Sequence, residues 1–129
     1  ALLHRVRQPF NTSLPAQAAA EAALDDDDFL QQTLTLVATE LDFLQAGVKE
    51  MGVPCFPTQA NFFMIDVGRD ADQVFYEMLK QGVIVRSMVS YGYPRYIRIN
   101  VGTREENKRF LKAFESVMSG AADGTGGRK

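Results

Sequence analysis

The chain has 129 residues, enough for one domain with a proper hydrophobic core. Fourteen Lys and Arg residues against sixteen Asp and Glu give a formal net charge of −2, which argues against the basic surface of a nucleic-acid-binding protein. No apolar run approaches membrane-spanning length, and no secretory signal opens the sequence.

A single cysteine, Cys55, rules out an internal disulfide and a cysteine-based metal cluster. Its neighbours are apolar or proline residues, so we expect a buried or half-buried side chain with a packing role. A reducing compartment suits such a chain, and we expect a cytoplasmic protein.

The two ends differ in character from the middle of the chain. Residues 1–7 (ALLHRVR) resemble the end of a helix that began further upstream, so we interpret the sequence as part of a longer protein. Residues 120–129 are mainly glycine, alanine, threonine and charged residues, and this composition predicts a disordered tail.

Two helices are predicted in the first half of the chain. Ser13 followed by Pro15 is a typical helix start, leading into residues 16–24. Four consecutive acids, Asp25 to Asp28, then precede a long amphipathic helix. A metal site is one interpretation of these acids, but favourable placement at the positive end of a helix is the one we prefer.

The long helix carries an apolar stripe that ends at Gly52. Its members recur at alternating spacings of four and three residues, as on one helix face. They are Leu30, Leu34, Val37, Leu41, Leu44, Val48 and Met51. The stripe predicts packing against a sheet or a neighbouring domain, and a coiled-coil seam is the alternative.

The second half alternates between strands and helices. Residues 60–67 (ANFFMIDV) predict a buried strand. Asp70 to Gln73 has the spacing of a capping box and opens a helix that ends at Gly82. The expected inward residues of that helix are Val74, Phe75, Met78 and Leu79. Residues 83–86 (VIVR) predict a short strand.

A further strand and the closing helix come from residues 96–107 (YIRINVGTREEN). Alternation places Ile97, Ile99 and Val101 on one face of the strand. Tyr96, Arg98 and Asn100 lie on the other face. Residues 103–106 (TREE) form another capping box. The helix after it has its core side at Phe110, Leu111, Phe114, Val117 and Met118.

This order of elements predicts an α+β fold. A small, mostly antiparallel sheet of three to four strands would carry helices on one face, preceded by the long amphipathic helix.

Arg86 and Arg98 are the strongest candidates for a binding site. An arginine held on a strand has limited freedom, and its planar fork matches a carboxylate or phosphate. If the two strands pair, both guanidinium groups can serve one ligand with two anionic groups. The alternative is that one or both form ion pairs with acids elsewhere in the chain, and the spacing alone leaves both interpretations open.

Other polar candidates carry weaker signals. Asn61 opens the first strand, where a hydrogen-bonding role is the simpler interpretation. Three tyrosines could line a pocket or cover a sheet edge: Tyr91, Tyr93 and Tyr96. His4 has no partners for a catalytic triad. None of the five lysines stands at an apolar strand end, and no glycine-rich phosphate loop of nucleotide-binding spacing occurs.

Five segments of the chain form a recognisable set: residues 7–11 (RQPFN), 59–63 (QANFF), 66–71 (DVGRDA), 82–86 (GVIVR) and 96–107 (YIRINVGTREEN). Together they resemble the C-terminal small domain of the histidinol-phosphate aminotransferase family, pyridoxal-phosphate enzymes of the aspartate-aminotransferase fold class (fold type I). They occur in the order of the family, and the resemblance spans residues 6–118.

The resemblance implies a division of labour. Residues 1–13 would be the end of the large domain or a connecting segment, and residues 14–119 the small domain that closes over the substrate. The missing large domain would hold pyridoxal 5'-phosphate and supply the catalytic lysine, so neither catalytic nor cofactor-binding residues are assigned in this chain. Arg98 matches the arginine that binds the substrate carboxylate, and Arg86 matches one near the distal phosphate of histidinol phosphate.

The whole protein would then be a cytoplasmic homodimer acting in histidine biosynthesis on histidinol phosphate and 2-oxoglutarate, and this chain alone would be inactive. Neither a metal nor a nucleic acid or membrane partner is expected. An aromatic or aspartate aminotransferase or a phosphothreonine decarboxylase of the same fold class is the nearest alternative. An alternative of another class is a non-catalytic module that binds anions or a protein partner through its long helix.

Overall fold

A computed structural model describes residues 12–120 of the chain. The segment at residues 1–7, His4 and the predicted tail beyond Gly120 lie outside these residues. The elements in chain order are α1 (Leu14–Ala23), α2 (Asp27–Glu50), β1 (Phe62–Asp66), α3 (Ala71–Lys80), β2 (Arg86–Ser87), a 3-10 helix (Val89–Tyr91), β3 (Tyr96–Asn100) and α4 (Arg104–Met118). The chain divides into two compact units, and the boundary falls between Leu34 and Thr35.

The first unit begins with helix α1, which starts as its sequence predicts. The Oγ of Ser13 accepts a hydrogen bond from the N–H of Ala16 at 3.3 Å, and Pro15 lies in the first turn, where a missing N–H costs nothing. No residue of α1 is buried. The helix therefore owes its start to local capping and gains no stability from a buried face of its own.

The acids before the long helix serve its N-terminus. Asp26 accepts a hydrogen bond from the N–H of Phe29 at 2.9 Å, and Asp27 and Asp28 occupy the first turn, where negative charge interacts favourably with the helix dipole. Residues 12–120 contain no group of three or more side chains arranged to hold a metal ion. Helix-end stabilisation is thus the role that the contacts show for these acids.

Only the second half of the apolar stripe on α2 is buried. Leu44 and Val48 are fully buried, and Leu41 packs against the same core. Leu30 and Leu34, by contrast, are 50% and 54% exposed. Packing within the chain thus accounts for the second half of the stripe, and packing of the first half on a neighbouring domain stays a prediction, because periodicity shows which face is apolar and not what covers it.

The three strands form an antiparallel sheet, as predicted, and their order in the sheet is β1-β3-β2. Cys55 adds an isolated bridge to Ile65 on the free side of β1, so a fragment of a fourth strand lies there. Cys55 itself is half-buried, in agreement with its expected packing role.

Strand β2 is shorter than its sequence predicts. Only Arg86 and Ser87 pair with β3, whereas the sequence predicts a strand over residues 83–86. Val83 and Val85 are nevertheless buried, with Ile84 exposed between them. The alternation that predicts a strand is present in the burial pattern, but the hydrogen-bonded ladder begins only at Arg86.

The core lies between one face of the sheet and helices α2, α3 and α4. Its residues from the sheet include Phe63, Ile65 and Ile97. The inward faces predicted for α3 and α4 are largely confirmed by the buried residues Val74, Met78, Phe110, Phe114 and Val117. Leu79 is the exception at 43% exposure, because it lies at the edge of the buried stripe of a short helix.

The two predicted capping boxes turn out differently. Before α4 the box is complete, since Thr103 accepts from the N–H of Glu106 and the Glu106 side chain accepts from the N–H of Thr103. Before α3 only half of it forms. Asp70 accepts from the N–H of Gln73 at 2.8 Å, but the side-chain amide of Gln73 donates to Glu77. One cap bond is enough to fix where α3 begins.

A buried polar network joins α2 to the turn between β3 and α4. The Asn107 side-chain amide donates to Glu40 at 2.8 Å and to the carbonyl of Gly102 at 3.0 Å, and its oxygen accepts from the Gly102 N–H at 3.1 Å. Arg104 donates to the other Glu40 oxygen at 2.8 Å and stacks on Phe43. Glu40 is only 7% exposed, so its charge depends on these partners.

Replacing Asn107 should therefore destabilise the domain strongly. Asn107→Ala leaves the Glu40 carboxylate with a missing partner and frees the Gly102 turn, and we expect a loss of about 2–4 kcal/mol in unfolding free energy. Urea denaturation measures it. The exposed neighbour Lys108→Ala is the matched control and should change stability by less than about 0.5 kcal/mol. Equal effects of the two variants would contradict the role of the network.

Candidate functional site

Arg86 and Arg98 lie directly opposite each other on the paired strands β2 and β3. Side chains of directly opposed residues point to the same face of a sheet and are near neighbours. The condition that the sequence left open, pairing of the two strands, is therefore met. Arg98 is half-buried in the central strand, whereas Arg86 is exposed on the edge strand.

Neither arginine is neutralised within the described residues. The ion pairs found in residues 12–120 are Arg69–Glu77, Arg95–Asp66 and Arg104–Glu40. The Nε of Arg98 is buried and has no hydrogen-bond partner in this part of the chain. Two like charges on opposed residues repel each other, so an anion at this face of the sheet would interact favourably with both arginines.

Each guanidinium group lies over an aromatic ring. The Cζ of Arg98 is 4.7 Å from the ring centroid of Phe62, and the Cζ of Arg86 is 5.5 Å from that of Tyr91. Such cation–π contacts orient a guanidinium group without neutralising it. A cavity of about 250 Å³ lies beside the arginines and is lined by Ile84, Val85, Arg86, Arg98, Ile99 and Asn100.

The tyrosines beside the arginines have different surroundings. Tyr96 is half-buried and packs on Phe56 and Tyr93, with ring centroids 5.6 and 5.8 Å apart. Tyr91 and Tyr93 are 56% and 51% exposed. Tyr91 contacts Arg86, so one of the three touches a candidate binding residue directly, and the other two build an aromatic cluster next to it.

Asn61 takes part in strand pairing. Its carbonyl accepts a hydrogen bond from the N–H of Val101 at 2.9 Å, which extends the β1–β3 ladder by one bond. This agrees with the simpler interpretation, a hydrogen-bonding residue at a strand start.

Two contacts at this face were missed in the sequence. Phe62 lies opposite Asn100 and reaches Arg98 diagonally, and this neighbourhood becomes visible only once the β1–β3 register is known. The ion pair between Arg95 and Asp66, at 3.0 Å, joins the end of β1 to the loop before β3. No local sequence pattern predicts this ion pair, because 29 residues separate Arg95 from Asp66.

The Asp66 carboxylate is stabilised in its charged form. A hydrogen bond from the Gly68 N–H, at 2.9 Å, lowers its pKa most, and the Arg95 guanidinium lowers it further. The charged carboxylate therefore remains paired with Arg95, and in the described part of the chain no acid pairs with Arg86 or Arg98.

Comparison with known proteins places this geometry in a family. The fold matches part of a histidinol-phosphate aminotransferase from Clostridium acetobutylicum, with a TM-score of 0.78, 19% identity, and 90% of this chain and 36% of that chain covered. A histidinol-phosphate aminotransferase from Sinorhizobium meliloti, in complex with pyridoxal-5'-phosphate, gives a TM-score of 0.74 and 24% identity, over 93% of this chain and 34% of that one. The fold is thus that of the smaller part of a fold type I pyridoxal-phosphate enzyme.

The sequence comparison is more specific. The family model "Aminotransferase class I and II" matches residues 1–114, and the chain belongs to this family. It is 52% identical over 116 residues to a histidinol-phosphate aminotransferase of Desulfotalea psychrophila, which covers 90% of this chain and 31% of that protein. The chain thus spans about a third of the length of the relatives it matches.

The Asp66 interaction predicts a pH dependence of stability. Its pKa is lowered in the folded state, so the carboxylate stabilises the fold above the ordinary value of 3.8, and this contribution is lost as the pH falls through the folded-state pKa. In Asp66→Asn the unfolding free energy should therefore decline less steeply with acid. Urea titrations over a pH series measure the slope.

The matched control is Asp42→Asn, which removes an exposed carboxylate of α2. Its side chain makes no hydrogen bond or ion pair with residues 12–120, so the slope should remain that of the unmodified chain. An unchanged slope in Asp66→Asn would show that the Gly68 and Arg95 contacts do not stabilise the fold.

Proposed function

We propose that this chain is the substrate-closing domain of a pyridoxal-phosphate-dependent transaminase that acts on L-histidinol phosphate and 2-oxoglutarate, yielding imidazole acetol phosphate and L-glutamate. The observation that carries the proposal is the opposed pair Arg86 and Arg98, which no acid neutralises within residues 12–120. The 52% identity to a histidinol-phosphate aminotransferase supports the choice of substrate.

Arg98 is the proposed anchor for the substrate carboxylate. Its place in the central strand and its half-buried side chain limit the directions in which the guanidinium group can move. A planar fork with restricted motion suits bidentate binding of a carboxylate, and less conformational entropy is lost on binding. Both the amino-acid and the oxo-acid partners of glutamate transamination carry such a group.

Arg86 is the proposed contact for the distal phosphate. It stands beside Arg98 but on the edge strand and exposed, so it can accept a larger and more hydrated group. A phosphate offers several acceptor oxygens to such a fork. Histidinol phosphate would thus contact Arg86 through its phosphate, whereas glutamate and 2-oxoglutarate, with a carboxylate at each end, would contact both arginines.

Pyridoxal phosphate supplies the electron sink of transamination when it is bound. The residues described here do not fit it, because the lysines among them, Lys49, Lys80, Lys108 and Lys112, all lie on helices α2, α3 and α4 and none on the face of the arginines. We therefore assign the cofactor to the part of the protein beyond this chain, and the role of the chain to orienting the substrate.

The other expectations follow from this assignment. We propose a homodimer working in the cytoplasm on small molecules in histidine biosynthesis. No helix among residues 12–120 is long and apolar enough to cross a membrane. A non-catalytic anion-binding module remains the contrasting hypothesis, and it would bind anions at the arginines without supporting turnover when joined to its upstream sequence.

Substitution of the two arginines in the full-length enzyme tests the proposal. Arg98→Ala should cost about 2–5 kcal/mol in kcat/KM for glutamate and for 2-oxoglutarate, because these two substrates carry the carboxylate. Arg86→Ala should reduce kcat/KM for histidinol phosphate far more than for an unphosphorylated amino donor that has no distal carboxylate. Steady-state kinetics with both donors and 2-oxoglutarate measure these losses.

The control is Arg109→Ala, which removes an exposed arginine of α4 and should leave kcat/KM for both donors unchanged. If Arg86→Ala lowered kcat/KM equally for phosphorylated and unphosphorylated donors, the assignment of Arg86 to the phosphate would be wrong. Preference for aromatic or aspartate donors, or for phosphothreonine decarboxylation, would assign the enzyme to a neighbouring activity.

The exposed apolar side chains of the first unit make a separate prediction. Phe29, Leu30 and Leu34 are 66%, 50% and 54% exposed, and we propose that the rest of the parent protein covers them. The isolated chain should therefore self-associate, and Leu30→Lys with Leu34→Lys should reduce this. Sedimentation velocity measures it, with Gln32→Lys and Thr33→Lys together as the control of equal charge. A monomeric unmodified chain would contradict the prediction.

A further inference from the structure

Arg98 lacks the polar contacts that usually fix an arginine. No acceptor within the described residues bonds to its guanidinium group, and of its nitrogens only Nε is buried. An arginine side chain has several rotatable bonds, and holding it in one orientation costs conformational entropy unless a contact compensates. Some other group must therefore determine where this guanidinium group lies.

The strand register offers two neighbours on the same face, and neither is the group that Arg98 lies over. Its direct partners are Met64 on β1 and Arg86 on β2. Arg86 repels it. The guanidinium group instead lies over the ring of Phe62, the diagonal neighbour on β1, at 4.7 Å from the centroid. Diagonal contacts of this kind are within reach of aromatic and long side chains.

From this geometry we propose that Phe62 is a positioning residue for the substrate-binding arginine. The ring attracts the cation over its face and draws it away from Arg86, and it leaves every donor of the guanidinium fork unused. A carboxylate partner would hold Arg98 as firmly but would neutralise it. An aromatic ring fixes the orientation and keeps the charge available. The inference rests on the proposed carboxylate-binding role of Arg98.

The test uses the 129-residue chain and 2-oxoglutarate as the probe. The side-chain Nε–H signal of Arg98 in NMR spectra reports its position, since a proton over an aromatic face is shifted upfield. Phe62→Leu keeps apolar bulk and removes the ring. It should move this signal downfield, increase the mobility of the guanidinium group and weaken 2-oxoglutarate binding by about 5- to 30-fold. Phe62→Tyr restores a ring and should recover both readouts.

Phe43→Leu is the matched control, because Phe43 lies under Arg104 at 3.9 Å on a different surface. It removes a cation–π contact of the same kind and should leave the Arg98 signal and 2-oxoglutarate binding unchanged. If it weakened binding as much as Phe62→Leu, general loosening of the fold would be the cause and the positioning role would be wrong.

Arg98→Ala separates the two proposals. If Arg98→Ala abolishes binding while Phe62→Leu changes neither affinity nor the Nε–H signal, the positioning role fails and the carboxylate anchor stands. If Arg98→Ala binds 2-oxoglutarate as well as the unmodified chain, the anchor itself is wrong. Should the unmodified chain bind too weakly to titrate, the mobility and shift of the Nε–H signal decide the positioning role alone.

Discussion

The pairing of β2 with β3 is the constraint on which the candidate site depends. The ladder is only two residues long, and Arg86 is one of them. A slip of one residue would turn Arg86 to the opposite face of the sheet. Buried Val83 and Val85 resist such a slip because it would expose them. The loop also closes on itself, since the N–H groups of Met88 and Tyr93 donate to the carbonyls of Tyr96 and Met88.

Polar contacts hold the central strand β3 at both ends, and they limit the movement of the backbone that carries Arg98. At one end Arg95 pairs with Asp66 of β1. At the other end the Asn107 amide bonds to both backbone groups of Gly102 and to Glu40. Two acids at the ends of this strand, Asp66 and Glu40, are thus each bound to another donor. The absence of an acid beside Arg98 within residues 12–120 is a property of the arrangement and not of a lack of carboxylates.

Local patterns predicted most of the fold but not the environment of the arginines. Helix starts at Ser13 and Thr103 depend on residues within one turn, so the sequence shows them. The alternation around Arg98 likewise predicts which face it occupies. Burial of Leu30 depends on whatever covers it, and the stacking of Phe62 on Arg98 depends on a register set by the whole sheet. The spacing of residues along the chain predicts neither the exposure of Leu30 nor the contact between Phe62 and Arg98.

The two arginines lie over rings that belong to different elements, and this bears on what they can bind. Phe62 belongs to β1, on one side of β3, whereas Tyr91 belongs to the 3-10 helix that follows β2 on the other side. Attraction of each guanidinium group to its ring and repulsion between the two positive charges both keep the guanidinium groups apart. The arrangement therefore favours two anionic groups at separate ends of one molecule over a single compact anion shared between the forks. Histidinol phosphate carries only its phosphate, so its proposed binding uses Arg86, while glutamate and 2-oxoglutarate bring carboxylates to both ends.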